Sequence, residues 1–286
     1  MSQTLKLRER QPHAEPPIVI TVLGARSGTS ALAGTLGLLG CTLPKKIMAA
    51  NHGNTKGYFE PQDLADEHDA VLASVDSSWN DWRPFPQAWL SSEDAKAARY
   101  AIAAIYRANY GETPLAVLKE PRMCRILPLW FDIFQALGVR PVFCFIDRNP
   151  LEVAQSLQKR DGSTIEQGLR YYIRNHLDAE RDTRGQRRAF TSYEGLLSNW
   201  RVATARASDQ LDISLRPTRE QEAEIDDFLE YDMRHQKAPQ EAIENDELSR
   251  IAFGIHESYA ALSRGEPQTS IRETLDKLRI EFDVLT

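Results

Sequence analysis

The sequence predicts an α/β protein of three layers, a mostly parallel sheet flanked by helices. Short apolar runs without polar alternation, IVITVL (18–23), LAVLK (115–119) and PVFCFI (141–146), read as strands buried on both faces. Stretches with helical spacing separate them, and strand–helix alternation is the pattern of a parallel sheet. Segments rich in Gly, Asn, Pro and charge follow the runs directly, at the strand ends where such folds bind ligands.

Each element has a local reason. Residues 1–17 are polar and proline-bearing and read as a flexible tail. After the first strand, 29–39 reads as helix, with Leu32, Leu36 and Leu39 on one face and Gly40 as the stop. Residues 45–62 (KKIMAANHGNTKGYFEPQ) form a long loop, and long ordered loops tend to be functional. Two helices, about 63–74 and 91–111, enclose the aromatic stretch SSWNDWRPFPQAWL, making a helical insertion at about 62–112. The second strand ends in Lys119-Glu120-Pro121-Arg122, and 128–137 is helical. The third strand ends in Asp147-Arg148-Asn149-Pro150, where Asn149 caps and Pro150 opens a helix to about 160. A longer helix covers 164–184, RAFTS (188–192) is a fourth strand, and a helix follows over 194–208. Three more helices, about 219–233, 244–265 and 270–282, complete one domain, 18–286.

Composition narrows the function. The chain has 286 residues, 42% hydrophobic and 27% charged, and a formal net charge of -6, which disfavours binding driven by nucleic-acid phosphates. Cys41, Cys124 and Cys144 lie in or beside apolar runs without CxxC spacing and read as reduced, buried thiols. No signal peptide and no apolar run near the ~20 residues of a membrane span is visible, so the expected location is cytoplasmic.

The chemistry begins at Gly24–Ser30, GARSGTS. Backbone N–H groups at a helix start, with the helix dipole, hold an anion. Gly28 allows close approach, the Ser27, Thr29 and Ser30 hydroxyls add donors, and Arg26 offers a planar fork to phosphate or sulfate oxygens. The competing reading is a glycine turn that merely joins strand to helix. Arg148 at a strand end and Ser156 two turns into the next helix form a second candidate anion site, with both facing a phosphate placed between them.

Together these segments resemble the sulfotransferase superfamily, which uses 3′-phosphoadenosine-5′-phosphosulfate (PAPS). GARSGTS resembles its 5′-phosphosulfate loop, and DRNPLEVAQSLQKRDG its 3′-phosphate segment with arginine and serine eight apart. KEPR, SYEGLL, NTKGYFE and FLEYDMRH resemble further family segments, the last two of bacterial members, so the match spans about 18 to 236 in order. The family's Arg/Lys-Lys-Gly segment near the C-terminus is absent, and Arg234 is a candidate substitute.

The resemblance implies a P-loop-NTPase-like sulfotransferase fold, PAPS as co-substrate and PAP as product, no metal, and an in-line transfer to a hydroxyl acceptor. That acceptor is a small molecule or saccharide, with carbohydrate or glycolipid favoured by the bacterial look. Lys119 and Arg26 are then the electrostatic stabilisers of the leaving group. Glu60, in an aromatic loop beside Tyr58 and Phe59, is the first choice of base; His52 is its rival and Glu120 ranks third, while His68 reads as structural. Tyr193 is a candidate adenine contact or a tyrosine closing the sheet, and Arg122 a candidate contact to donor or acceptor. Trp79, Trp82, Phe85 and Trp89 roof the acceptor pocket or pack the insertion. Two other readings stay open: an ATP- and magnesium-dependent P-loop kinase, disfavoured by the missing Gly-Lys-Ser/Thr, and a non-catalytic nucleotide-binding protein.

Overall fold

The computed structural model describes residues 15–49, 57–233 and 246–286. Four strands, β1 (Ile18–Leu23), β2 (Leu115–Lys119), β3 (Arg140–Asp147) and β4 (Arg188–Ser192), form one parallel sheet in the order β2-β1-β3-β4. The chain leaves β1 for β2 on one side and then returns to β3 on the other. The crevice between the C-terminal ends of β1 and β3 is therefore the topological switch point, where ligands bind in open sheets.

Side-chain alternation along the strands divides the core into two layers. Val19 and Leu23, Ala116 and Leu118, and Phe143 and Phe145 face one side. There they meet α2 (Gln62–Ala73), α3 (Glu93–Tyr110), α4 (Met123–Leu137), α5 (Pro150–Asp161), α6 (Ile165–Asp182), α10 (Glu247–Arg264) and α11 (Gln268–Val284). Ile20, Val22, Val117, Val142, Cys144 and Ile146 face the other side, covered by α1 (Thr29–Leu38), α7 (Tyr193–Ser198), α8 (Trp200–Leu211) and α9 (Arg219–Met233). The predicted three-layer α/β class is the observed one.

Three boundaries differ from expectation. α4 begins at Met123 rather than 128: one turn precedes Pro128, and a break at Ile126 (φ -128°, ψ 25°) accommodates a proline that has no N–H to donate backward. The single helix expected over 194–208 is two, because Asn199 leaves helical geometry (φ -157°, ψ 78°) and caps α8 through the Val202 N–H at 3.2 Å. Pro17, placed in the expected tail, already accepts a hydrogen bond from the Arg140 N–H at 2.8 Å and so belongs to the fold.

Two backbone contacts fix the parts that matter. A Cβ on Gly24 (φ 124°) would lie 2.0 Å from the Ile146 carbonyl oxygen, so the chain leaving β1 lies directly against β3. A Cβ on Gly168 of α6 would lie 2.6 Å from the Ala154 Cα of α5, so these two helices meet backbone to backbone.

Candidate active site

The loop after β1 is shaped by glycine and by strain. Gly28 (φ 96°) precedes α1, and Arg26 itself adopts a left-handed φ of 59°, uncommon for a residue with a side chain. Ser27 and Thr29 are buried at the start of α1. The conformation turns the Arg26 guanidinium toward α5, where Nη2 donates to Ser156 Oγ at 2.8 Å. Arg26 Nε is buried and has no hydrogen-bond partner among the described residues. Burial pulls the Arg26 pKa below its ordinary value, and the nearby charge of Arg160 adds to that pull.

At the end of β2, Lys119 Nζ donates to the Glu60 carboxylate at 2.5 Å and to the Tyr58 carbonyl at 2.9 Å. Both side chains are almost wholly buried, 3% and 5% exposed. Burial pushes the Glu60 carboxyl above its usual range, even against the pull of Lys119. Phe59, between Tyr58 and Glu60, holds φ 54°, so the candidate site carries a second left-handed residue with a side chain besides Arg26. Two residues expected to share a site, 59 apart in sequence, are in contact.

Behind them lies a buried polar chain. Glu120 points away from Lys119 and accepts from His68 Nδ1 and from Arg122 Nη1, the latter at 2.6 Å. Trp130 Nε1–H donates to His68 Nε2 at 3.0 Å; because indole only donates, this fixes the His68 tautomer with its proton on Nδ1. Arg122 grips Asp69 with two bonds of 2.6 and 2.8 Å. Burial would raise the Glu120 pKa, but His68 and Arg122 more than offset it and hold it at about 2. Held as a low-pKa carboxylate between His68 and Arg122, Glu120 is poorly suited to act as a base. Arg122, offered as a ligand contact, is engaged on two carboxylates.

At the end of β3, Arg148 donates from Nε to Glu152 at 2.6 Å and lies over the Tyr193 ring, 5.0 Å from its centroid. Tyr193 packs in turn against the loop: a Cβ on Gly28 would come within 2.2 Å of its Cδ2. Ser156 and Arg148 are expected to face a phosphate placed between them; in the structure Ser156 bonds Arg26 and Arg148 bonds Glu152. Asp147 points to the opposite layer and accepts from Tyr172 Oη at 2.7 Å and from His256 Nδ1 of α10 at 2.5 Å.

Sequence reasoning named Ser156 but missed its neighbours Glu152 and Arg160. Glu152, Ser156 and Arg160 recur every four residues and share one face of α5, a stripe that spacing alone could have revealed. Arg160 lies 4.8 Å over the Trp79 ring, and Trp79 meets Tyr171 edge-on at 5.7 Å. Phe85 and Trp89 pack on each other, and Trp82 lies under Arg170, so these three serve the insertion's packing. The link between Asp147 and His256 spans 109 positions and has no local signal. His52 and Arg234 lie outside the described residues. Among the described residues, no group of three or more His, Cys, Asp or Glu gathers as a metal site, and no helix is long and apolar enough to cross a membrane.

No protein-family model and no curated protein sequence matches the chain. Its fold does match solved structures. The sulfotransferase domain of the olefin synthase of Synechococcus PCC 7002 aligns over 89% of this chain and 98% of its own length, with a TM-score of 0.52 and 17% identity. The sulfotransferase domain from the curacin biosynthetic pathway aligns over 84% and 97%, with a TM-score of 0.45 and 13% identity. The chain has the fold of the sulfotransferase domains.

Proposed function

We propose that the protein transfers a sulfuryl group from PAPS to an acceptor hydroxyl, in line, with Glu60 as base. The observation that carries this reading is the buried contact of Lys119 with Glu60, beside the anion loop of β1. It pairs a cation suited to a leaving group with a carboxylate suited to a hydroxyl proton.

The residues fit such a donor. Arg26, Lys119 and Arg148 stand at the C-terminal ends of three adjacent strands, a donor set for an anionic ligand with two separate charged groups. The orphaned Arg26 Nε offers a further buried donor to a ligand oxygen. Gly28, Ser27, Thr29 and Ser30 bring backbone N–H groups and hydroxyls to the phosphosulfate, while Arg148 serves the 3′-phosphate above Tyr193, which then also borders the adenine.

In the transfer, a bond forms between the acceptor oxygen and sulfur, and the bond from sulfur to the phosphate oxygen breaks. Arg26 and Lys119 neutralise charge on the departing oxygen. Lys119 turns from Glu60 to do so. Glu60 thereby loses its counter-ion in a buried place, its pKa climbs further, and it takes the acceptor proton. The lysine's move strengthens the base at the moment it is required. Trp79, Tyr171 and Arg160 border the acceptor side, and saccharide hydroxyls are the first class to screen.

PAP is expected to raise Tm more than ATP does, and equal shifts would remove the donor assignment. Glu60→Gln is expected to lower kcat by a hundredfold or more, about the worth of a general base, with PAP affinity nearly intact. Normal turnover by that variant would pass the base role to His52. Labelled PAPS incubated with acceptor extracts then identifies the product.

A further inference from the structure

The helices after β4 also reach the donor side of the sheet, through one histidine. His256 on α10 bonds Asp147 at 2.5 Å, and Asp147 is the residue directly before Arg148. Arg148 in turn bonds Glu152 at 2.6 Å. The groups facing His256 are Asp147 from β3, Glu152 from α5 and Glu257 from its own helix, with Tyr172 and His176 of α6 on the far side of Asp147. Glu152 of α5 is thus shared by two basic side chains from different layers: it accepts from Arg148 and its charge acts on His256. The buried Asp147 holds the imidazole through Nδ1, and the His256 side chain stays 28% exposed, with Nε2 not engaged by this bond. Burial lowers the His256 pKa, but Asp147 and the neighbouring glutamates outweigh burial and raise it above its ordinary value.

We propose that His256 binds the donor's 3′-phosphate together with Arg148, and that Glu152 occupies the anion's place when no donor is bound. This rests on the donor reading above. A phosphate brings two charges and three acceptor oxygens where Glu152 brings one charge and two, so it displaces the carboxylate from Arg148 and engages the imidazolium. His256 then joins the C-terminal helices to donor binding.

Calorimetric titration of PAP and of adenosine 5′-phosphosulfate, which lacks the 3′-phosphate, tests this on the full chain. His256→Gln is expected to weaken PAP about tenfold at pH 7 and to leave the 3′-dephospho ligand within twofold. Wild-type affinity for PAP should fall more than that of the variant as pH rises through the titration of His256, because only the wild type loses the imidazolium charge. Glu152→Gln is expected to tighten PAP several-fold. An unchanged PAP affinity in His256→Gln, or equal losses for both ligands, overturns the assignment; weaker PAP binding in Glu152→Gln overturns the stand-in role. Arg148→Ala separates this failure from that of the donor reading: a PAP-selective loss there with none in His256→Gln refutes His256 alone, whereas equal losses for both ligands in Arg148→Ala refute the 3′-phosphate site itself.

Discussion

Replacing Lys119 with methionine, a side chain of similar length, removes one partner of a pair in which both are almost wholly buried. Truncating one side of a buried ion pair costs about 3–5 kcal/mol, mostly as the penalty of an uncompensated charge. The remaining charge here is Glu60, whose pKa burial already raises and whose strongest opposing influence is the lost ammonium. A carboxyl with a folded pKa above its unfolded value favours folding below the unfolded pKa, and that advantage disappears as pH rises through the folded value. The deficit of Lys119→Met should therefore be small near pH 4.5 and grow toward pH 8. Urea denaturation at several pH values measures it. The double variant Lys119→Met/Glu60→Leu, which removes both charges, should recover most of the loss and abolish the pH dependence. A Lys119→Met deficit under about 1 kcal/mol at pH 8, or one independent of pH, would refute the idea that these groups stabilise each other in a low-dielectric site.

Other perturbations have equally definite outcomes. Glu120, held at about 2, supplies stability that is complete above its unfolded pKa and lost as pH falls through about 2; Glu120→Gln should flatten the acid limb of a stability-against-pH curve. Gly28→Ala meets both a left-handed φ and the Tyr193 ring, so it should cost about 1–3 kcal/mol in thermal or urea melts and weaken PAP; adding Tyr193→Ala should return the steric part only. All three cysteines are buried, and burial pushes each thiol up to about 12, so alkylation at pH 8 should be slow in the native protein and complete only in denaturant.

What could be read from the chain was whatever local chemistry encodes. β2, β4 and α9 have the bounds that apolar runs and helical spacing indicate, and Asn149-Pro150 marks the start of α5. The segments at the strand ends converge because a parallel sheet gathers its C-terminal ends at one edge. Local signals failed where a longer-range term decided. Pro128 looked like a helix start, yet packing of Cys124 and Leu127 in the core carries α4 a turn further back. Ser156 looked like a partner of Arg148, yet the left-handed φ of Arg26, invisible in sequence, brings a different arginine to it. Asp147 and His256 meet only because strand alternation turns Asp147 toward the layer containing α10.

The contact between Gly168 and Ala154 gives the molecule a remote point of control. α5 carries Glu152, Ser156 and Arg160, which engage Arg148, Arg26 and Trp79 in succession, so the helix acts as a single rod along the crevice. Its depth is set by the missing side chain of a residue on α6 that touches none of them. A methyl group at Gly168 would lift the rod and shift all three engagements at once. The geometry of the candidate site is thus calibrated from outside it, and drift at that crossing would detune catalysis while leaving every chemical group in place.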